Sequence, residues 1–156
     1  MPDKQQARHV VLSRRQMLSP AEVQLASQQV TQKVLTLVNL ADCNRVHIYT
    51  PIPNSNEIDT ALLCSELKQR FSKLEIVMGE PSPYAMIPDS KFDAVFTPCL
   101  GFNRDKFRLG YGGGWYDQFL FGQSGALKIG LAHVWSEVDF TSEPHDIPLD
   151  MILTDD

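Results

Sequence analysis

Cysteine is scarce in this sequence: only Cys43, Cys64 and Cys99 occur in 156 residues. An odd count, with no two cysteines close enough for a CxxC pair, fits neither a disulfide framework nor a thiolate metal site. All three are expected to be reduced and mostly buried. Also missing is any apolar run near the ~20 residues a membrane-spanning helix needs, and MPDKQQARHV has no apolar stretch of the signal-peptide kind. A cytoplasmic protein with no membrane partner is therefore expected. Excess positive charge is absent as well. Fourteen Lys and Arg against 19 Asp and Glu leave a formal charge of −5, which disfavours nucleic acid as a partner. The one basic stretch, Arg8 to Arg15, lacks interleaved aromatics. His9, His47, His133 and His145 show no metal-ligand spacing. No internal repeat, heptad pattern or linker divides the chain, so residues 1–156 are expected to form a single domain. A monomer is expected.

What is present is an alternation of helical and strand signals. Lys4 to Arg15 contains neither Gly nor Pro and reads as a helix with Lys4, Arg8 and Arg15 on one face. Ser19-Pro20-Ala21-Glu22 is a capping box with proline at the first helical position, and the valine and leucine spacing that follows predicts a helix from Pro20 to about Leu40. Strands are predicted over Arg45–Tyr49, Leu74–Met78, Phe92–Phe96, Leu127–Ala132 and Met151–Leu153. Helices are predicted over Thr60–Phe71, with Leu62, Leu63 and Leu67 inward, and over Trp115–Phe121. This order implies an α/β fold: a three-layer, Rossmann-like, mostly parallel sheet covered by helices.

The densest chemical signal is Arg108-Leu-Gly-Tyr-Gly-Gly-Gly-Trp-Tyr-Asp117, where four of the nine glycines fall between positions 110 and 114. Without Cβ atoms such a loop can turn its N–H groups onto an anion at close range, and phosphate is the natural guest. The string is neither a P-loop nor G-x-G-x-x-G, so neither of those mechanisms transfers. Arg108 suits bidentate contact with phosphate oxygens. Tyr111, Trp115 and Tyr116 offer flat faces for a ring system, and Asp117 suits a hard cation. A surface loop with core aromatics is the competing reading.

RLGYGGGWYD, preceded by FDAVFTPCLGF, closely resembles the signature of the 5-formyltetrahydrofolate cyclo-ligase family, also called methenyltetrahydrofolate synthetases. Further resemblance lies in Lys4-x-x-x-Arg8 with Arg14-Arg15-x-x-Leu-Ser19, in Glu57-Ile-Asp-Thr60, in Gly79-Glu-Pro81, and in Glu143-x-His145-Asp146 with the closing Leu-Asp-Met-Ile-Leu-Thr154. The resemblance implies a ligase that uses ATP and Mg²⁺ to convert 5-formyltetrahydrofolate into 5,10-methenyltetrahydrofolate, with those small molecules as its partners. It also implies roles. Lys4 and Arg8 would clamp phosphates, Arg108 would act as the catalytic cation, and Arg108 with Leu109, Gly110, Tyr111, Gly112, Gly113, Gly114, Trp115 and Tyr116 would hold ATP. Asp117 and Asp146 would hold Mg²⁺, Glu57 would hydrogen-bond the pterin, and Tyr111 and Trp115 would border the folate.

Several of these residues have plainer readings. Lys4 and Arg8 fit a solvated charged helix, Glu57 fits the start of the next helix, and Asp146 fits a turn before Pro148. Between the strand at Leu74–Val77 and the Gly79-Glu80-Pro81 turn, an insertion that helps wall the family's folate pocket is missing. Ser136 stands where the family has Gln, and Trp115-Tyr116 where it usually has two tyrosines. The nucleotide half of the site is thus complete and the folate half reduced, unless Pro81 to Pro88, with Tyr84 and Met86, takes over the wall. Two alternatives follow: an ATP-dependent ligase or kinase-like relative with another substrate, and a nucleotide- or folate-binding module without catalysis.

Overall fold

Local signals start each of the first two helices. In the computed structural model, which describes residues 2–79, 87–88 and 90–156, Asp3 caps α1 (Lys4–Arg15) and Ser19 caps α2 (Pro20–Leu37), each through a reciprocal capping box. Helix α2 stops three residues short of the predicted Leu40. Val38 turns extended, and the Asn39 side chain accepts the Ala41 N–H at 3.1 Å, which lets both Val38 and Leu40 reach the core.

Five strands, β1 (Arg45–Tyr49), β2 (Glu75–Gly79), β3 (Ala94–Pro98), β6 (Leu127–Ala132) and β7 (Met151–Thr154), form a sheet in the order β2-β1-β3-β6-β7. Every pairing within it is parallel. Helix α3 (Ala61–Arg70) follows β1, and α4 (Trp115–Phe121) precedes β6. A separate two-stranded antiparallel hairpin, β4 (Gly101–Phe102) with β5 (Arg108–Leu109), has no periodic signature in the sequence. A short 3₁₀ turn at Val134–Ser136 was likewise unpredicted; Ser136 closes it by donating to the His133 carbonyl.

Three predicted details shift. Strand β3 begins at Ala94, two residues late, because the Asp93 carboxylate accepts the N–H groups of Asn44 and Arg45 at 2.7 and 2.9 Å and so serves as a connector. Strand β2 moves one residue along, since its pairing with β1 runs from Arg45–Glu75 to Tyr49–Gly79. Leu62, expected inward, is 41% exposed, while Leu63, Cys64 and Leu67 bury the inner face of α3. The cysteines are free, with Cys64 and Cys99 buried and Cys43 partly so.

The main core lies between the sheet and α2, α3 and α4; a second cluster joins Ala7 and Val11 of α1 to Leu100, Leu109 and Phe140. In the main core the His47 ring packs edge-on against Phe92 and Phe119, at centroid distances of 5.3 and 4.7 Å. Burial first, and Arg45 second, push its pKa down to about 4. Because the unfolded chain binds that proton near pH 6.5, the stability that neutral His47 supports is complete above pH 6.5 and falls as pH drops toward 4. Denaturant unfolding at pH 7.5 and 4.5 should show wild type losing about 2–3 kcal/mol more than His47→Gln over that interval.

In this strand order the chain crosses to opposite sides of β1 as it enters β2 and β3. A parallel sheet opens a crevice at such a reversal, beyond the carboxyl ends of the strands. The loop after β1 and the segment after β3 converge there.

Candidate active site

A cleft of about 860 Å³ occupies this crevice, lined by Lys4 and Arg8 of α1, Ile52 and Glu57 after β1, Pro98 at the end of β3, Arg108, and residues 110 to 118. Hairpin β4–β5 sets the position of Arg108. Its Nε donates to the Pro98 carbonyl at 3.1 Å, and its guanidinium lies 4.9 Å from the centre of the Tyr116 ring. A Cβ on residue 110 would come within 2.9 Å of Arg108 Nη2, so glycine lets the guanidinium lie against the loop. Gly112 has φ +104°, a conformation that would strain any other residue, and the space beside it is filled by the Arg8 guanidinium. Arg8 Nε in turn donates to the Gly110 carbonyl at 2.7 Å. The loop is thus held open between two arginines from distant parts of the chain.

At the end of the cleft where the Glu143–Asp146 turn meets α1 and α4, Lys4 Nζ lies 2.6 Å from Asp146 Oδ2, and Glu143 lies near the same ammonium. Asp146 also accepts the Glu143 N–H at 2.7 Å, so it both closes its turn and faces the site. Asp117, His145 and Asp146 present ligand atoms within 4.8 Å of one another. Burial, opposed by Arg108 but aided by the Asp146 charge, pushes the Asp117 carboxyl above its ordinary pKa. Two carboxylates whose charges oppose each other in a half-buried place fit a hard divalent cation, with His145 as an additional neighbour.

At the other end Glu57 is buried, with Oε2 accepting the Ile52 N–H at 2.8 Å and Oε1 accepting from the Tyr111 hydroxyl at 3.3 Å. Its desolvation raises the carboxyl pKa, with Ile52 and Arg15 pulling the other way. The helix-start reading of Glu57 fails: α3 begins at Ala61, whose N–H is taken by Asp59. The Tyr116 hydroxyl is buried without a hydrogen-bond partner among the described residues, which leaves a polar group for a ligand to satisfy.

Lys4, Arg8, Glu57, Arg108, Gly110 to Tyr116 and Asp117 therefore share one cleft, and Asp146 borders it through Lys4. The solvated-helix reading of Lys4 and Arg8 does not survive these contacts. The side chain of Leu109 is packed in the second core, so only its backbone is available to a ligand. Glu80, Pro81, Tyr84 and Met86, invoked for the turn and the replacement wall, lie outside the described residues; Ile87, from the same segment, lines the cleft. Sequence reasoning missed two participants. His145 sits inside a motif already noticed, and Arg15 is only 2% exposed although the helical pattern placed it beside Lys4 and Arg8.

Together the crevice, the arginine-braced glycine loop and the paired carboxylates form one polar cleft in an α/β protein. Residues 65–155 match the model of the 5-formyltetrahydrofolate cyclo-ligase family. The chain belongs to that family, and is accordingly a ligase. It is 29% identical to the 5-formyltetrahydrofolate cyclo-ligase of Mycoplasma pneumoniae over 164 residues, 99% of each chain, and 24% identical to that of Haemophilus influenzae over 182 residues, 96% of each. The solved structure of a 5,10-methenyltetrahydrofolate synthetase from Mycoplasma pneumoniae superposes with a TM-score of 0.83 at 28% identity, covering 99% of this chain and 100% of that one. The alignment with the Mycoplasma enzyme is barely longer than this chain, so the compact form is shared with a protein named for the same reaction.

Proposed function

We propose that this chain, acting as one domain, closes the methenyl bridge of 5-formyltetrahydrofolate at the expense of ATP, with Mg²⁺ as the cation. The observation that carries the reading is the convergence of Lys4, Arg8, Arg108 and the glycine loop on one cleft whose other end is the buried Glu57. In the reaction the formyl oxygen attacks the γ-phosphate and ADP departs. N10 then adds to the activated formyl carbon, and phosphate leaves with the former formyl oxygen and the N10 proton. No protein nucleophile enters this sequence, so the enzyme contributes positioning and charge stabilisation.

Arg8 and Arg108 brace the loop and present positive charge where the transferring phosphoryl group develops negative charge. Glu57 accepts hydrogen bonds from the amino and ring N–H groups of the pterin, and Tyr111 and Trp115 flank it. Asp117 and Asp146 would hold Mg²⁺, which neutralises phosphate charge when bound. An absorbance assay of methenyltetrahydrofolate formation, with ADP release followed in parallel, tests the whole reading. Coupled appearance of both products is expected; ADP release without ring closure would point to another acceptor.

Asp117→Asn is expected to lower turnover at least tenfold at every Mg²⁺ concentration, because the volume is kept while the anionic ligand is lost. Its stability at pH 7 should equal or exceed that of wild type. The folded-state carboxyl has a raised pKa, so carrying the charge costs stability above that pKa, and Asn removes the cost. Thermal melts and initial rates across an Mg²⁺ series check both.

A further inference from the structure

Arg15 lies at the far end of α1 from Lys4, 2% exposed, with no phosphate-clamping role and an Nε that finds no hydrogen-bond partner among the described residues. Its Nη2 donates to the Tyr111 hydroxyl, and that hydroxyl donates onward to Glu57 Oε1 at 3.3 Å. The guanidinium also stands 5.5 Å from the centre of the Tyr111 ring. The surrounding backbone is fixed to the same loop: Asn56 Nδ2 donates to the carbonyls of Arg15 and Leu18 at 2.8 and 3.2 Å, and the Asn56 carbonyl meets His133 Nε2 at 2.8 Å. Burying an arginine is costly unless it is paired, and the anionic partner within reach of this one is Glu57, through Tyr111.

We infer that Arg15 is a positioning residue for the folate end of the site, holding Tyr111 of the glycine loop and the Glu57 carboxylate in one relay so that the two substrates are fixed relative to each other. The inference rests on the proposed function and names the element that joins its halves. Helix α1 touches the nucleotide end through Lys4 and Arg8 and the pterin end through Arg15. Tyr111 is 48% exposed, and its hydroxyl is held from two sides, by the buried Arg15 guanidinium and by Glu57 Oε1. Arg15 touches neither reacting atom; its effect passes through Tyr111 and Glu57, and it should act on folate affinity more than on turnover.

The test uses Arg15→Lys, Arg15→Met and Tyr111→Phe in the full chain, with folate and ATP affinities measured separately by titration alongside KM and kcat. Tyr111→Phe removes only the relay hydroxyl from a half-exposed residue, and so tests the link even if Arg15→Met fails to fold. The expected result is a KM and Kd for 5-formyltetrahydrofolate raised fivefold or more in Tyr111→Phe and Arg15→Met, with ATP affinity within twofold. Arg15→Lys should recover part of the loss. The Arg15→Lys/Tyr111→Phe double variant should be no worse than Tyr111→Phe alone, because both act through one hydroxyl. Additive losses, or equal losses of folate and ATP affinity, would overturn the inference and mark Arg15 as a purely structural charge. Wild type that binds ATP but not 5-formyltetrahydrofolate would overturn the functional reading instead.

Discussion

Arg108→Met is expected to reduce kcat by about 10²–10³-fold, the loss usual when one fixed donor to a developing oxyanion is removed. Met keeps the unbranched, flexible stem of the side chain and fills part of its volume, so the fold should survive. What disappears is a guanidinium that the Pro98 carbonyl and the Tyr116 ring aim along the glycine loop. At ~1.4 kcal/mol per decade this is roughly 3–4 kcal/mol of transition-state stabilisation. The rise in melting temperature with ATP should shrink in parallel, since a ligand at a hundredfold excess over its Kd stabilises the native state by ~2.7 kcal/mol. Stopped-flow or steady-state rates and thermal melts with and without ATP check the two effects. An unchanged kcat would exclude Arg108 from phosphoryl transfer.

Phe119→Ala should destabilise the protein by about 3–5 kcal/mol, as expected for a fully buried ring. Phe119 packs against His47, Phe92, Trp115 and Tyr116, with centroids 4.7, 5.9, 5.2 and 6.5 Å away. Helix α4 has only seven residues and owes its existence to this packing rather than to intrinsic propensity. Since α4 also carries Trp115, Tyr116 and Asp117, activity should fall with stability even at temperatures where the variant remains folded. A fall in melting temperature of roughly 6–20 °C by circular dichroism is expected.

The start of α2 was legible because capping is a local chemistry: Ser19, Pro20 and Glu22 announce it within four positions. The glycine string was legible for the same reason, since close backbone approach can be read from the missing Cβ atoms alone. Hairpin β4–β5 was not, because two residues per strand are too few for an alternating pattern. The start of β3 depended on Asp93 bonding to Asn44 and Arg45, almost fifty residues earlier in the chain. Arg15 shows the limit most clearly. Its spacing put it on the charged face with Lys4 and Arg8, yet the partners that bury it are Tyr111 and Glu57, and no local rule reaches that far.

The helix carrying Lys4, Arg8 and Arg15 is made before Gly110, Tyr111 and Asp146, the residues that hold it in place, which follow their partners by 96 to 142 positions in the chain. Until they emerge, α1 has a capped but short amphipathic helix to offer and few long-range contacts to lock it down. The nascent chain therefore lacks the assembled cleft until those later residues have emerged. Binding competence is acquired only when segments far apart in the chain close on each other.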